Sequence, residues 1–151
     1  MSFISKQLVS WHKLHGRHQL PWQQTKNPYA IWVSEIMLQQ TQVSTVIEYY
    51  KNFMQRFPDI KNLASAEIDD VNEYWSGLGY YSRARNLHAS ARIILQKYNG
   101  IFPKKYEKIL ELPGIGRTTA GAICSFAYGK NYSILDGNVK RVFTRFYGIK
   151  E

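Results

Sequence analysis

Between residues 109 and 121 the chain reads Ile109-Leu110-Glu111-Leu112-Pro113-Gly114-Ile115-Gly116-Arg117-Thr118-Thr119-Ala120-Gly121, an apolar stretch broken by Pro-Gly-x-Gly and then resumed. Pro113 cannot continue a helix, and Gly114 and Gly116 allow positive φ and close approach of a partner to the backbone. The segment therefore predicts a helix, a tight turn and a second helix. The N–H groups that open the second helix lack intrahelical partners and sit at the positive end of its dipole, so a phosphate can dock there without any base being read. A plain helix–helix corner has the same sequence, and the motif alone leaves both readings open.

Charge bears on that choice. Twenty Lys and Arg against eleven Asp and Glu give a formal net charge of +9, the footprint of a protein that meets a polyanion or an acidic membrane. No apolar run approaches the ~18 residues that span a bilayer, and the N-terminus has neither a continuous apolar run nor a small-residue cleavage site. A soluble, intracellular protein without membrane contact is expected. With 151 residues, 44% of them hydrophobic, one domain with a substantial core is expected. One cysteine and four scattered histidines supply no closed zinc site, and no phosphate-binding P-loop or nucleophile elbow is present. Cys124 lies on the apolar face of the second hairpin helix, where core packing accounts for it.

The rest of the chain reads as helices. Ile4, Leu8 and Trp11 form one stripe of a helix over residues 2 to 15 that must pack on something. Residues 16 to 28 read as a basic, polar loop around Leu20-Pro21-Trp22, ending in the helix-start signal Asn27-Pro28. Trp22, taken alone, plugs the core. From Tyr29 to Phe57 apolar positions recur at helical spacing except at Gln39-Gln40-Thr41-Gln42, which is either a solvated face or a junction of two helices turned toward a ligand. A short acidic-fronted helix over 67 to 76 places Ile68, Val71, Tyr74 and Trp75 inward. Gly77-Leu78-Gly79 then breaks it before Tyr80-Tyr81, aromatics that serve either as core anchors or as an exposed stacking wedge. Residues 82 to 98 form the clearest helix, with Leu87, Ala91, Ile94, Leu95 and Tyr98 on one face and Asn99-Gly100 as its stop. Arg83, Arg85, His88 and Arg92 read as a solvated basic face, some of it available to phosphates. No segment alternates with period 2 over more than a few residues, so the fold is expected to be all-α.

Downstream of the hairpin comes Ile134-Leu135-Asp136-Gly137-Asn138-Val139-Lys140-Arg141-Val142. Alone, Asp136 is an ordinary helix N-cap. Taken with the hairpin, with Leu20-Pro21-Trp22, Trp32 to Val43, Gly77 to Tyr81 and Arg83 to Leu87, it resembles the hairpin-helix-hairpin (endonuclease III) superfamily of DNA glycosylases. The adenine DNA glycosylases of the MutY type fit best, with the similarity running from about Leu20 to Tyr147.

That resemblance implies a hairpin-helix-hairpin glycosylase fold. A six-helix barrel-like domain would occupy 25–135. The N-terminal helix and loop at 1–24 and the start of a second helical domain at 136–151 would belong together. It implies a monomeric base excision repair enzyme, cytoplasmic and nucleoid-associated in the bacterial manner. Such an enzyme acts on double-stranded DNA, flipping and hydrolytically excising adenine mispaired with 8-oxoguanine or guanine. By residue match Glu35 and Asp136 are the catalytic carboxylates and Asn138 supports them. Gln40 and Tyr80 enter the duplex, and Trp22 lines the base pocket. Gly114, Gly116, Arg117 and Thr118 lie at the DNA. Glu35 follows an apolar helix face, where desolvation would raise its pKa and suit it to protonate adenine N7. Asp136, at a helix N-terminus, would remain an anion and stabilise the cation developing at C1′. Lyase-competent relatives carry a lysine where Thr118 stands, so a monofunctional reaction is expected.

Full-length members of the family carry a [4Fe-4S] cluster on four clustered cysteines, which this chain cannot supply, so a truncated catalytic part with no metal of its own is expected. Two other readings stand beside this one. A bifunctional endonuclease III-like enzyme acting on damaged pyrimidines is opposed by Gln39-Gln40-Thr41 and Gly137-Asn138. A truncated hairpin module that only binds DNA is the other.

Overall fold

A computed structural model describes residues 3–149, and among these it contains α-helices and one 3-10 turn but no strand. Helix α1, Phe3–His15, forms over the anticipated stripe, yet it buries no residue: Leu8 and Trp11 are 58% and 57% exposed. The loop that follows contains the 3-10 turn Pro21–Gln24, which turns Trp22 into the core.

Helix α2, Pro28–Met37, starts where its sequence says it should. Asn27 caps it, accepting the Tyr29 N–H at 2.9 Å, and Pro28 occupies the first turn, where a missing N–H costs nothing. It is the central helix, packed against α8, α3 and α6. From Tyr29 to Met37 every residue is buried except Glu35. The tetrad Gln39 to Gln42 is a junction, as one of its two readings held, leading into α3, Val43–Arg56, whose Val46, Tyr50 and Phe53 face inward at i, i+4 and i+7.

Helix α4, Ile60–Ser65, has no counterpart in the sequence reading; six residues are too few for a periodic signal, and Asp59 caps it by accepting the Asn62 N–H at 2.8 Å. Helix α5, Ile68–Trp75, buries Val71 and Trp75. Helix α6, Ser82–Tyr98, ends at Asn99 in the left-handed conformation (φ 52°) and packs on α4 and α5. Helices α7, Tyr106–Leu110, and α8, Arg117–Tyr128, flank the Pro-Gly-x-Gly turn, and α9, Gly137–Tyr147, follows Asp136. Edge-to-face aromatic pairs knit the middle of the core: Trp32 with Phe102 at 5.4 Å and Phe53 with Trp75 at 5.9 Å between centroids. Cys124 packs there too, fully buried.

One expectation fails on α6. Arg83 and His88 are buried, 8% and 7% exposed, whereas Arg85 and Arg92 are exposed as anticipated. The His88 ring lies 3.0 Å from the Ala66 carbonyl through Nε2, and Arg83 turns inward onto backbone carbonyls. Polar partners inside the core replace the water that a charged face would have used. Among the described residues no helix is long and apolar enough to cross a membrane.

Candidate active site

Glu35 stands on a partition. On one side is a pocket of about 340 Å³ whose walls include Trp22, Ile31, Ser34, Leu38 and Lys26. On the other is an open groove of about 1040 Å³ lined by Gln40, Thr118, Asp136 and Asn138 among others. Glu35, Leu38 and Val43 belong to both walls. Trp22 meets Tyr50 edge to face at 5.3 Å, so its ring is held in the core and also forms part of the pocket.

Burial, and second the carboxylate of Asp136, push Glu35 up from 4.5 to about 7. Asp136 is held differently. Its Oδ1 accepts the Val139 N–H at 2.8 Å, closing the N-terminus of α9 and fixing the carboxylate at the groove. Two carboxylates about a hundred residues apart in sequence therefore face one groove in different environments, Glu35 in the packed wall of its helix and Asp136 at a helix start.

The hairpin supplies another wall. Gly114 has φ +76°, and a Cβ built on it would stand 2.7 Å from the Asn86 Cβ, so the fold itself requires glycine there. Ser90 Oγ pins the same turn by donating to the Pro113 carbonyl at 2.9 Å. Gly116 departs from expectation: its φ is −91°, and a Cβ on it would meet nothing within 4 Å. Neither conformation nor packing calls for glycine at 116. It is the N-cap of α8 and no side chain closes that N-terminus, so Thr118, the second residue of the helix, does not cap it. Thr118 faces the groove, while Arg117 beside it is exposed.

Gln40 and Tyr80 are exposed at loop tips and hold φ of 57° and 49°. Left-handed backbone at a residue with a side chain costs on the order of 1 kcal/mol or more. Tyr80 does not line the groove. Arg83 joins it to the residues that do, its guanidinium reaching the backbone of Ile36, Met37 and Gln39, the Thr41 hydroxyl, and the 78–79 backbone. The sequence reading missed Arg83, and it also missed Arg141, which lines the groove, and Thr119, whose Oγ1 accepts from Gln39 Nε2 at 3.4 Å. For Arg83 a sign existed: it lies four residues before Leu87, on the stripe continued by Ala91 and Ile94.

Among the described residues no three or more His, Cys, Asp or Glu side chains converge as metal ligands. The single cysteine is sealed in the core with its thiol pKa pushed up by burial, so these residues do not fit a four-cysteine iron–sulfur cluster.

Residues 33–151 match the family model described as HhH-GPD superfamily base excision DNA repair protein. The chain is 56% identical over 142 residues to the adenine DNA glycosylase of Buchnera aphidicola subsp. Baizongia pistaciae, covering 94% of this chain and 40% of that protein. Against the adenine DNA glycosylase of Buchnera aphidicola subsp. Acyrthosiphon pisum it is 55% identical over 148 residues, covering 97% and 42%. A solved structure of a thermostable thymine-DNA glycosylase superposes with a TM-score of 0.88 at 30% identity, over 97% of this chain and 67% of that one. The chain thus spans about two fifths of the length of the curated relatives it matches.

Proposed function

Since the chain belongs to the HhH-GPD superfamily of base excision DNA repair proteins, we propose that it is the catalytic part of a DNA glycosylase that releases adenine from mispairs with 8-oxoguanine or guanine. The observation that carries this is Glu35 between a pocket and a larger groove, pushed up to about 7, with Asp136 facing the same groove. A pocket of about 340 Å³ lies within the range of small-ligand sites and admits one flipped base, while the groove takes the backbone it came from.

The steps follow from the residues. The open N-terminus of α8 at Gly116 and Arg117 holds a phosphate, and Gln40 and Tyr80 fill the space the adenine leaves. The base enters the pocket beside Trp22, and Glu35 gives its proton to N7. The bond from C1′ to N9 then breaks with its electron pair leaving on the base, and Asp136 stabilises the cation at C1′, with Asn138 supporting it. Water adds at C1′ and its proton returns to Glu35, so the products are free adenine and an abasic site in an unbroken strand. Among the described residues no lysine lines the groove, and Lys26, in the pocket, donates to the Phe126 carbonyl at 3.2 Å. That arrangement supports hydrolysis over imine formation. Any iron–sulfur cluster of the kind the resemblance implies would be held by residues other than those of this chain.

Single-turnover release of adenine from duplexes carrying it opposite 8-oxoguanine, guanine or thymine tests the reading. Release opposite the first two and not the third is expected; no release from any of them sinks it. Borohydride added during turnover should trap no adduct with the wild type, and Thr118→Lys should gain one.

A further inference from the structure

Arg83 is a buried cation without a counter-ion: the three ion pairs among the described residues, Lys51–Glu48, Arg56–Asp70 and Lys108–Glu111, leave it out. Its acceptors are neutral and come from two loops. Nη1 donates to the carbonyls of Ile36 at 3.0 Å, Met37 at 2.9 Å and Gln39 at 2.6 Å. Nη2 donates to the carbonyls of Leu78 and Gly79, both at 3.1 Å, and to Thr41 Oγ1 at 3.3 Å. The same guanidinium lies 5.6 Å from the centre of the Tyr80 ring and 5.4 Å from that of Trp75. One planar fork thus bridges the end of α2 and the loop that carries Tyr80.

Those loops carry the two exposed residues, Gln40 and Tyr80, that hold left-handed backbone with a side chain attached. The third such residue, Asn99, is explained as the cap of α6. Strain at a loop tip persists only where the surroundings over-determine it, and Arg83 holds oxygens next to both tips: the Gln39 carbonyl and the Thr41 hydroxyl around Gln40, and the Leu78 and Gly79 carbonyls before Tyr80. A cation desolvated at this cost contributes little as a stability element, because apolar packing would serve the core as well.

We propose that Arg83 is a positioning residue that locks the Gln40 and Tyr80 loops to one another, so that both side chains enter a duplex as one rigid unit. The proposal rests on the glycosylase reading for the roles of Gln40 and Tyr80. Gln39 extends the network to the hairpin helix through Thr119, so three DNA-facing segments share one hydrogen-bonded frame.

The test uses the intact protein and a duplex with 2-aminopurine beside the target adenine, whose fluorescence reports unstacking while product release reports excision. Arg83→Lys keeps the charge but replaces a two-armed fork by a single ammonium that cannot serve both loops. Unstacking and excision should slow by about 10- to 100-fold, the loss expected when reacting parts are misplaced by about 1 Å. Affinity for undamaged duplex and the pH midpoint of excision should hold. Gln40→Ala added to Arg83→Lys should cost little beyond either change alone, as coupled residues do. Thr41→Val, which removes one acceptor of the guanidinium and leaves the core whole, should slow unstacking by about tenfold, the low end for a hydrogen bond to a charged group.

Unstacking at the wild-type rate in both variants overturns the proposal, as does strict additivity with Gln40→Ala. An Arg83→Lys chain that loses duplex affinity and thermal stability along with activity, or does not fold, also overturns it, because the residue would then belong to the fold. A wild-type protein that neither unstacks nor releases adenine removes the glycosylase reading, and this proposal with it. A competent wild type matched by Arg83→Lys removes the proposal alone.

Discussion

Helix α2 buries eight of its ten residues and α9 buries none, yet each contributes one of the two carboxylates that face the groove. Glu35 is the gap in a wall of core residues, so its position follows from packing around it and its raised pKa from the same burial. Asp136 has no such wall. It is placed by one hydrogen bond to the start of its own helix, while Val142 and Phe146 on that helix are 55% and 61% exposed. Glu35 is held by the fold and Asp136 by local structure. The two carboxylates should therefore fail in different ways when altered.

The largest effect should come from Glu35→Gln. It removes the proton donor but keeps the shape, so single-turnover excision should fall on the order of 10³-fold with duplex affinity within about twofold. Excision should be flat below about pH 7, where Glu35 holds its proton, and fall about tenfold per unit above it. Stability has its own sign. Folding raises this pKa from 4.5 to about 7, so between those values the native chain binds the proton more than the unfolded chain does, and stability is lost as pH rises through the window. Glu35→Gln has no proton to lose. Its Tm relative to wild type should climb by a few degrees from pH 4.5 to pH 8, and a constant difference would mean that Glu35 is not desolvated.

Asp136→Asn comes next, with a loss of about 10²-fold, since the group acts through charge at C1′. Asparagine caps a helix as well as aspartate does, so α9 should keep its start and only the chemistry should suffer. Excision at the wild-type rate would take Asp136 out of the mechanism and leave it a cap.

The hairpin sharpens the contrast, because α8 begins with a glycine and no closing side chain, whereas α9 begins with Asp136. Gly114→Ala should cost about 1–2 kcal/mol of stability through its left-handed φ and the approach of Asn86. Gly116→Val should leave Tm unchanged and weaken duplex binding by about fivefold, since its side chain would occupy the place of one phosphate, and lower the salt slope by about one charge. Unchanged affinity would make the turn a structural corner.

These pairs also show where the sequence was legible. The Leu87, Ala91 and Ile94 stripe gave α6 its length and its buried face, because a 3.6-residue period over 17 residues leaves few alternatives. Arg83 sits on that stripe, and its charge outweighed its register in the reading; its burial is explained by six neutral acceptors, four of which come from the distant 36–41 segment and two from the neighbouring Leu78 and Gly79. The motif names Gly114 and Gly116 together, while backbone conformation separates them. Glu35 and Asp136 could be paired from the sequence only through family resemblance, since no local spacing brings α2 to the start of α9.

Asp136→Ala should have the smallest effect on the whole molecule and still discriminate between the two kinds of anchoring. Losing an aspartate N-cap costs about 1 kcal/mol of helix stability. In a helix tied into the core that cost would appear in the global transition. Helix α9 buries no residue, so in the 151-residue chain the loss should stay local: amides at Val139, Lys140 and Arg141 should exchange about fivefold faster while those of α2 and α6 do not change. Global Tm should move by less than about 1 °C. Asp136→Asn should show neither change, so comparing the two variants separates the cap from the charge. A global Tm loss in Asp136→Ala equal to that of a core substitution would show that α9 is coupled to the core around α2 and α6, and the division between a carboxylate held by the fold and one held by its own helix would no longer stand.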